Sequence, residues 1–178
     1  MHLELEIKNC SRACAATARP LNPGEVYFSV LVTEGHDFAR QDYCVEAWQG
    51  PPEDCLGWWR SRIPTKDDTQ PCLAPTDVML NLFEALEDRP AELTFRYLLG
   101  LLLLRRKMLR RDDSRHDAEG REVLTMHCQR RQKDYELIVA EPTPEEAAKL
   151  QEQMIGLLYG NSESNTPSPT TVINEQTE

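Results

Sequence analysis

Cys14-Ala15-Ala16-Thr17 and Cys44-Val45-Glu46-Ala47 each begin as a Cys-x-x-Cys metal knuckle begins. Each lacks the second sulfur. Tetrahedral zinc needs four deprotonated ligands, usually delivered from two turns. Thr17 is a poor ligand and Ala47 cannot ligate at all. A set could be rebuilt from Cys10, Cys14 and Cys44, with His36 or Cys55 as the fourth ligand. The plainer reading makes Cys14 and Cys44 small buried hydrophobes packed in the place of a metal. On that reading, which we prefer, no metal or other cofactor is expected.

Two further groups of residues stand out. Arg105, Arg106, Lys107, Arg110 and Arg111 place five positive charges in seven residues. With Arg130, Arg131 and Lys133 they could form one patch for phosphates or an acidic partner. The alternative is helix C-terminal charge paired with the chain's many carboxylates. The second group is Trp58-Trp59. Exposed tryptophans anchor interfaces, whereas buried ones pin a connection to the core, and at least one of this pair is expected to be buried.

Catalytic signatures are absent from the sequence: it has no Gly-x-Ser-x-Gly elbow, no P-loop and no glycine-rich dinucleotide loop. His2, His36, His116 and His127 form no His-x-x-x-His pair. Cys128 beside His127 is not a dyad, because neighbours in a strand point to opposite faces.

The elements that must carry these residues belong to a chain of 178 residues, long enough for one core. Thirty acidic against twenty basic residues give a net charge of −10. That balance argues against a general nucleic-acid or membrane-surface binder. The longest apolar run, Tyr97 to Leu104, covers eight residues, and a membrane helix needs about 20. The start is charged and alternating, unlike a secretory signal. The six cysteines are therefore expected as free thiols or ligands in a cytoplasmic protein.

Leu3, Leu5 and Ile7 alternate with charged residues, as a half-buried strand does. Pro23-Gly24 fits a turn, Val26 to Val32 and Phe38 to Cys44 read as strands, and the N-terminal third is mostly sheet. Residues 50 to 75 hold five of the twelve prolines and read as an irregular connection. A strand around Leu56 to Arg62 would shorten that loop. Thr76 or Asp77 caps a helix whose Met79, Leu82, Phe83 and Leu86 share one face. A second, core helix is expected over Ala91 to Arg111, followed by a polar loop from Asp112 to Gly120. Glu122 to Cys128 and Tyr135 to Ala140 form a hairpin. Thr143-Pro144-Glu145-Glu146 is a capping box that opens a last helix ending at Gly160. From Asn161 the composition is too polar to repay ordering. The expected fold is α+β: a ribbon-like β module over 1–50, a connection over 51–75, a helical and hairpin region over 76–160, and a disordered tail over 161–178.

Around the first two strands the chain resembles a family of short, uncharacterised bacterial proteins common in planctomycete-like genomes. Their pattern is close to Cys-x-x-Cys-Gly-Arg-x-Leu, then Pro-Gly-Glu-x-Tyr-x-Ser-x-Leu, then Arg-x-Asp-Tyr-Cys-x-x-Cys-Trp. This sequence matches at Cys14, Arg19, Leu21, Pro23-Gly24-Glu25, Tyr27, Ser29, Leu31, Arg40, Asp42-Tyr43-Cys44 and Trp48. It departs at Thr17, Ala18 and Ala47. The resemblance covers about residues 10 to 60 and implies a zinc-ribbon-like module that persists without its metal. No activity is established for the group. The leading expectation is a non-catalytic interaction module using the ribbon and the Trp58-Trp59 region to hold a protein partner. The alternatives are a nucleic-acid- or ribosome-associated protein using the basic patch, and a small enzyme whose site is assembled only in three dimensions.

Overall fold

The computed structural model describes residues 12–67 and 73–159. The strand expected near Leu3 to Ile7, Cys10, Cys72 and the tail over 161–178 lie outside the described residues. The fold is α+β, with two antiparallel three-stranded sheets and three helices.

The first sheet has strand order β2-β1-β3 and is built from β1 (Val26–Glu34), β2 (Asp37–Cys44) and β3 (Cys55–Arg62). Val26–Glu34 alternates and is rich in β-branched and aromatic residues, so it suits the central position. Gly35 takes the left-handed φ of 63° that the tight turn into β2 requires. β3 lies inside the stretch expected to be irregular. It pairs along β1 from Val26↔Arg62 to Val32↔Cys55, which satisfies backbone groups that a loop would leave to water.

α1 (Thr76–Ala85) packs on β3. Its N-cap is Pro75, with no side-chain cap, rather than Thr76 or Asp77. The approach is close: a Cβ on Gly57 would stand 2.6 Å from Val78 Cγ2. A single turn, Pro90–Glu92, leads into α2 (Leu93–Arg105), and Phe95, Leu99 and Leu103 bury its core face.

The expectation of one helix over Ala91 to Arg111 is corrected here. α2 stops at Arg105, and Lys107 takes a left-handed φ of 60°. The Met108 amide donates to Leu103 O and the Lys107 amide to Leu104 O, which is a Schellman ending. That position usually holds Gly. A lysine there leaves the stop signal out of the sequence.

Arg110 and Arg111 therefore belong to β4 (Arg110–His116), which replaces the loop expected from Asp112. All seven residues of β4 are exposed, so no apolar alternation marks it. It edges a second sheet of order β4-β5-β6, with β5 (Glu122–Cys128) and β6 (Lys133–Ile138). The expected hairpin is the β5–β6 pair. α3 (Pro144–Leu158) opens on the expected capping box: Thr143 and Glu146 bond each other reciprocally.

One apolar cluster joins both sheets and all three helices. Leu31 and Phe38 meet Phe83, Leu99, Tyr135 and Leu157 within it. Beneath β1 and β2 it borders a buried polar network. Arg40 Nε donates to Asp42 Oδ1 at 3.0 Å, and its terminal nitrogens donate to Tyr27 Oη, Ser29 Oγ and the Tyr159 carbonyl at the end of α3. Ser29 Oγ also donates to Asp42. The guanidinium lies 5.2 Å from the Trp59 ring centre.

Two outcomes are expected in urea denaturation. Arg40→Met removes the guanidinium from the buried Asp42 carboxylate and lowers stability by about 3–5 kcal/mol, and Arg40→Met with Asp42→Leu is more stable than Arg40→Met alone. If the double variant is the weaker protein, the network is not held together by that pair. Lys107→Gly relieves the left-handed strain and raises stability by about 1 kcal/mol, read as a higher urea midpoint.

Candidate functional site

The two knuckles meet at one end of the first sheet. Backbone bonds hold them together. The Cys14 amide donates to Arg19 O, the Ala18 amide to Cys14 O, and the Ala15 amide to Asp42 O on β2. Ala18 sits at φ 55°, where the resembling pattern has Gly. Cys14 and Cys44 are buried at 1% and 2% exposure, in a small cluster with Leu21, Tyr27, Ile63 and Ala47.

The Cys44 amide donates to Cys14 Sγ at 3.4 Å. Burial pushes the Cys14 thiol up, but the Thr17 hydroxyl and the amides of Cys44, Thr17 and Ala16 outweigh it and hold its pKa at about 6.

Among the described residues the expected zinc donors do not come together, and Cys10 lies outside them. His36 stands at the opposite end of β2, in the turn before it. Cys55 pairs with Val32, at the far end of β3 from the Tyr27↔Cys44 pair. Neither can reach the knuckles. Among the described residues no third His, Cys, Asp or Glu completes a ligand set with Cys14 and Cys44. Arg19 clasps the same corner from outside. Its guanidinium bonds Glu25 at the start of β1 and Glu46 of the second knuckle. The Arg19 guanidinium, with the Asn22 amide, holds the Glu25 carboxyl down at about 2.

The outer face of the first sheet carries the second candidate. Phe28 and Tyr43 are directly opposed on β1 and β2. Trp48 folds back from the knuckle and stacks on Phe28, with ring centres 4.6 Å apart and planes 10° apart. Trp58 on β3 tilts against both, 6.0 Å from Phe28 and 5.6 Å from Trp48, and is 45% exposed. Trp59 points the other way and is buried, so the pair divides between face and core. Arg60 lies beside Phe28 and Arg62 beside Val26 on the exposed side of β3. Neither arginine makes an ion pair among the described residues. The adjacent tryptophans mark Trp58 in the sequence, whereas no sequence signal pairs it with Phe28, Tyr43 and Trp48. The alternation of β1 and β2 marks Phe28 and Tyr43 as outward, but nothing local places Trp48 on them.

The basic residues do not gather as one free patch. Arg130 pairs with Asp77 and Arg131 with Glu84, while Lys133 lies near Glu84 and Glu87. Arg110 pairs with Asp112 and Arg111 with Glu122. Arg105, Arg106 and Lys107 make no ion pair among the described residues. Lys107 and Arg110 line an open hollow of about 640 Å³ with His127 and Gln129. At that side Asp112, His127 and Asp134 bring one ligand atom each within 4.8 Å of one another. The cluster lies on the surface, and Asp112 is already bonded by Arg110 Nε. Cys128 faces the core, away from His127. No helix among the described residues is long and apolar enough to cross a membrane.

Comparison of the chain with protein-family models, curated proteins and solved structures finds no match.

The Arg19–Glu25 clasp has a pH signature. The folded-state pKa of Glu25 is depressed from 4.5 to about 2, so its contribution is present above the unfolded value and is lost as pH falls toward 2. Thermal melts of the wild type and Glu25→Gln are expected to differ at pH 6 and to converge by about pH 2. A constant difference across that window would mean the clasp contributes nothing through ionisation.

Proposed function

We propose that this protein is a non-catalytic interaction module whose contact surface is the outer face of the first sheet. The observation that carries this reading is the aromatic face of Phe28, Tyr43, Trp48 and Trp58, edged by Arg60 and Arg62. Aromatic side chains and arginine are the residue types that dominate binding energy at protein interfaces. A rigid stack costs little side-chain entropy when a partner covers it. The scaffold is zinc-ribbon-like, with its metal replaced by buried thiols and the Arg19 clasp. Support comes from the two facing knuckles and the left-handed Ala18. The free buried thiols of Cys14, Cys44 and Cys128 support a reducing, cytoplasmic setting.

A second reading has a specific observation behind it. Aromatic rings beside cations with no ion pair among the described residues also suit stacked single-stranded nucleic acid. The net charge of −10 weighs against it. The basic run from Arg105 to Arg111 adds less than expected, because Arg110 and Arg111 are paired with carboxylates.

The two readings separate by experiment. A photo-crosslinking residue at position 60 is expected to trap a discrete protein in cells, and the same residue at exposed position 152 on α3 is not. Trp58→Ala is expected to remove the adduct while leaving the melting temperature unchanged, with a loss of about 2 kcal/mol or more in affinity for the trapped partner. Salt-sensitive binding of a labelled oligonucleotide that Trp58→Ala abolishes, with no protein adduct, would replace this reading by the nucleic-acid one.

A further inference from the structure

We propose that Cys14 and Cys44 form a two-coordinate thiolate site for a soft monovalent cation of the Cu(I) class. The argument starts from what the knuckles lack. Zinc needs four ligands, and this corner offers two sulfurs with no third ligand of the usual kinds among the described residues. Thiolate sulfur selects soft cations, and a filled-shell monovalent ion is satisfied by two of them.

The fold holds both sulfurs in place before any ion arrives. Cys14 and Cys44 share one small cluster, and the Cys44 amide already bonds the Cys14 sulfur. The Ala15 amide bonds Asp42 O, which ties the first knuckle to β2 two residues before Cys44. The thiolate pair would carry excess negative charge once bound. The Cys44 amide at the Cys14 sulfur is placed to stabilise it, and the Arg19 guanidinium adds positive charge at the same corner through its pairs with Glu25 and Glu46, as outer partners of metal ligands do.

Ala15, Ala16, Thr17, Val45 and Glu46, the residues that follow the two buried cysteines, are exposed. Binding is a proton exchange: both thiols lose a proton, one cation takes their place, and no electron moves. Both released protons pass to solvent.

The test uses the full chain with Cys10→Ser, Cys55→Ser, Cys72→Ser and Cys128→Ala, reduced and kept anaerobic. Cu(I) is titrated against a chromogenic Cu(I) chelator. One Cu(I) per chain is expected to be withheld from the chelator, with a sulfur-to-copper absorption in the near ultraviolet. Both signals are expected to vanish on Cys14→Ser or Cys44→Ser. Should the fourfold variant not fold, the wild type is compared with Cys14→Ser/Cys44→Ser, and the difference is expected to be one Cu(I). Equal copper uptake with and without Cys14 and Cys44 would overturn the proposal. Retention of Zn(II) in preference to Cu(I) would overturn it too, and would return the corner to a rebuilt zinc site.

Discussion

A buried guanidinium needs acceptors, and around Arg40 much of the N-terminal architecture is arranged to supply them. Its side chain is fully enclosed, and its partner Asp42 is nearly so. Leaving such a charge unpaired in the interior costs several kcal/mol, so the acceptors must arrive together or not at all. They come from three places: Asp42 two residues along the same strand, Tyr27 and Ser29 on the neighbouring strand, and the Tyr159 carbonyl at the end of the last helix. The first pair sets which face of β2 points inward. The second sets the register of β1 against β2, since a slip of one residue would carry Tyr27 and Ser29 to the outer face. The third ties the C-terminal helix to a sheet more than a hundred residues earlier in the chain.

The same constraint gives physical content to the family-like pattern. Tyr27, Ser29, Arg40 and Asp42 are the polar network, Arg19 and Glu25 are the clasp outside the knuckles, and Tyr43 and Trp48 belong to the aromatic face. Most of the matching residues are therefore accounted for by scaffold and surface, without a metal. The departures, Thr17, Ala18 and Ala47, all lie in the two cysteine turns. Ala47 packs against the small thiol cluster, and the Thr17 hydroxyl accepts from the Arg19 amide. Packing and hydrogen bonds hold the two turns together.

Alternation along β1, β2 and β3 then creates two unlike faces from one sheet. Inward positions hold Leu31, Phe38, Trp59 and the Arg40 network. Outward positions hold Phe28, Tyr43, Trp58, Arg60 and Arg62. Trp48 closes over the outer face only because the Val45–Ala47 turn redirects the chain after Cys44. The knuckle thus shapes both candidate sites: its inner side encloses the sulfurs, and its far end delivers the ring that stacks on Phe28.

The sequence by itself determined the elements whose signals are local. The β1–β2 hairpin, the buried face of α1, the β5–β6 pair and the capping box at Thr143 each follow from periodicity, turn chemistry or caps within a few residues. It also placed Cys14 near the first turn and Cys44 at the end of the returning strand. The tertiary structure alone decided where distant residues meet. It ended α2 at a left-handed lysine that carries no glycine signal. It made a strand of Arg110–His116, whose seven exposed polar residues gain their structure only from pairing with β5. It set His36 and Cys55 beyond reach of the knuckles, divided Trp58 from Trp59, and brought Trp48 onto Phe28. Those outcomes depend on strand register and chain reversal, which are energies of contacts between residues far apart in sequence, and no local pattern records them.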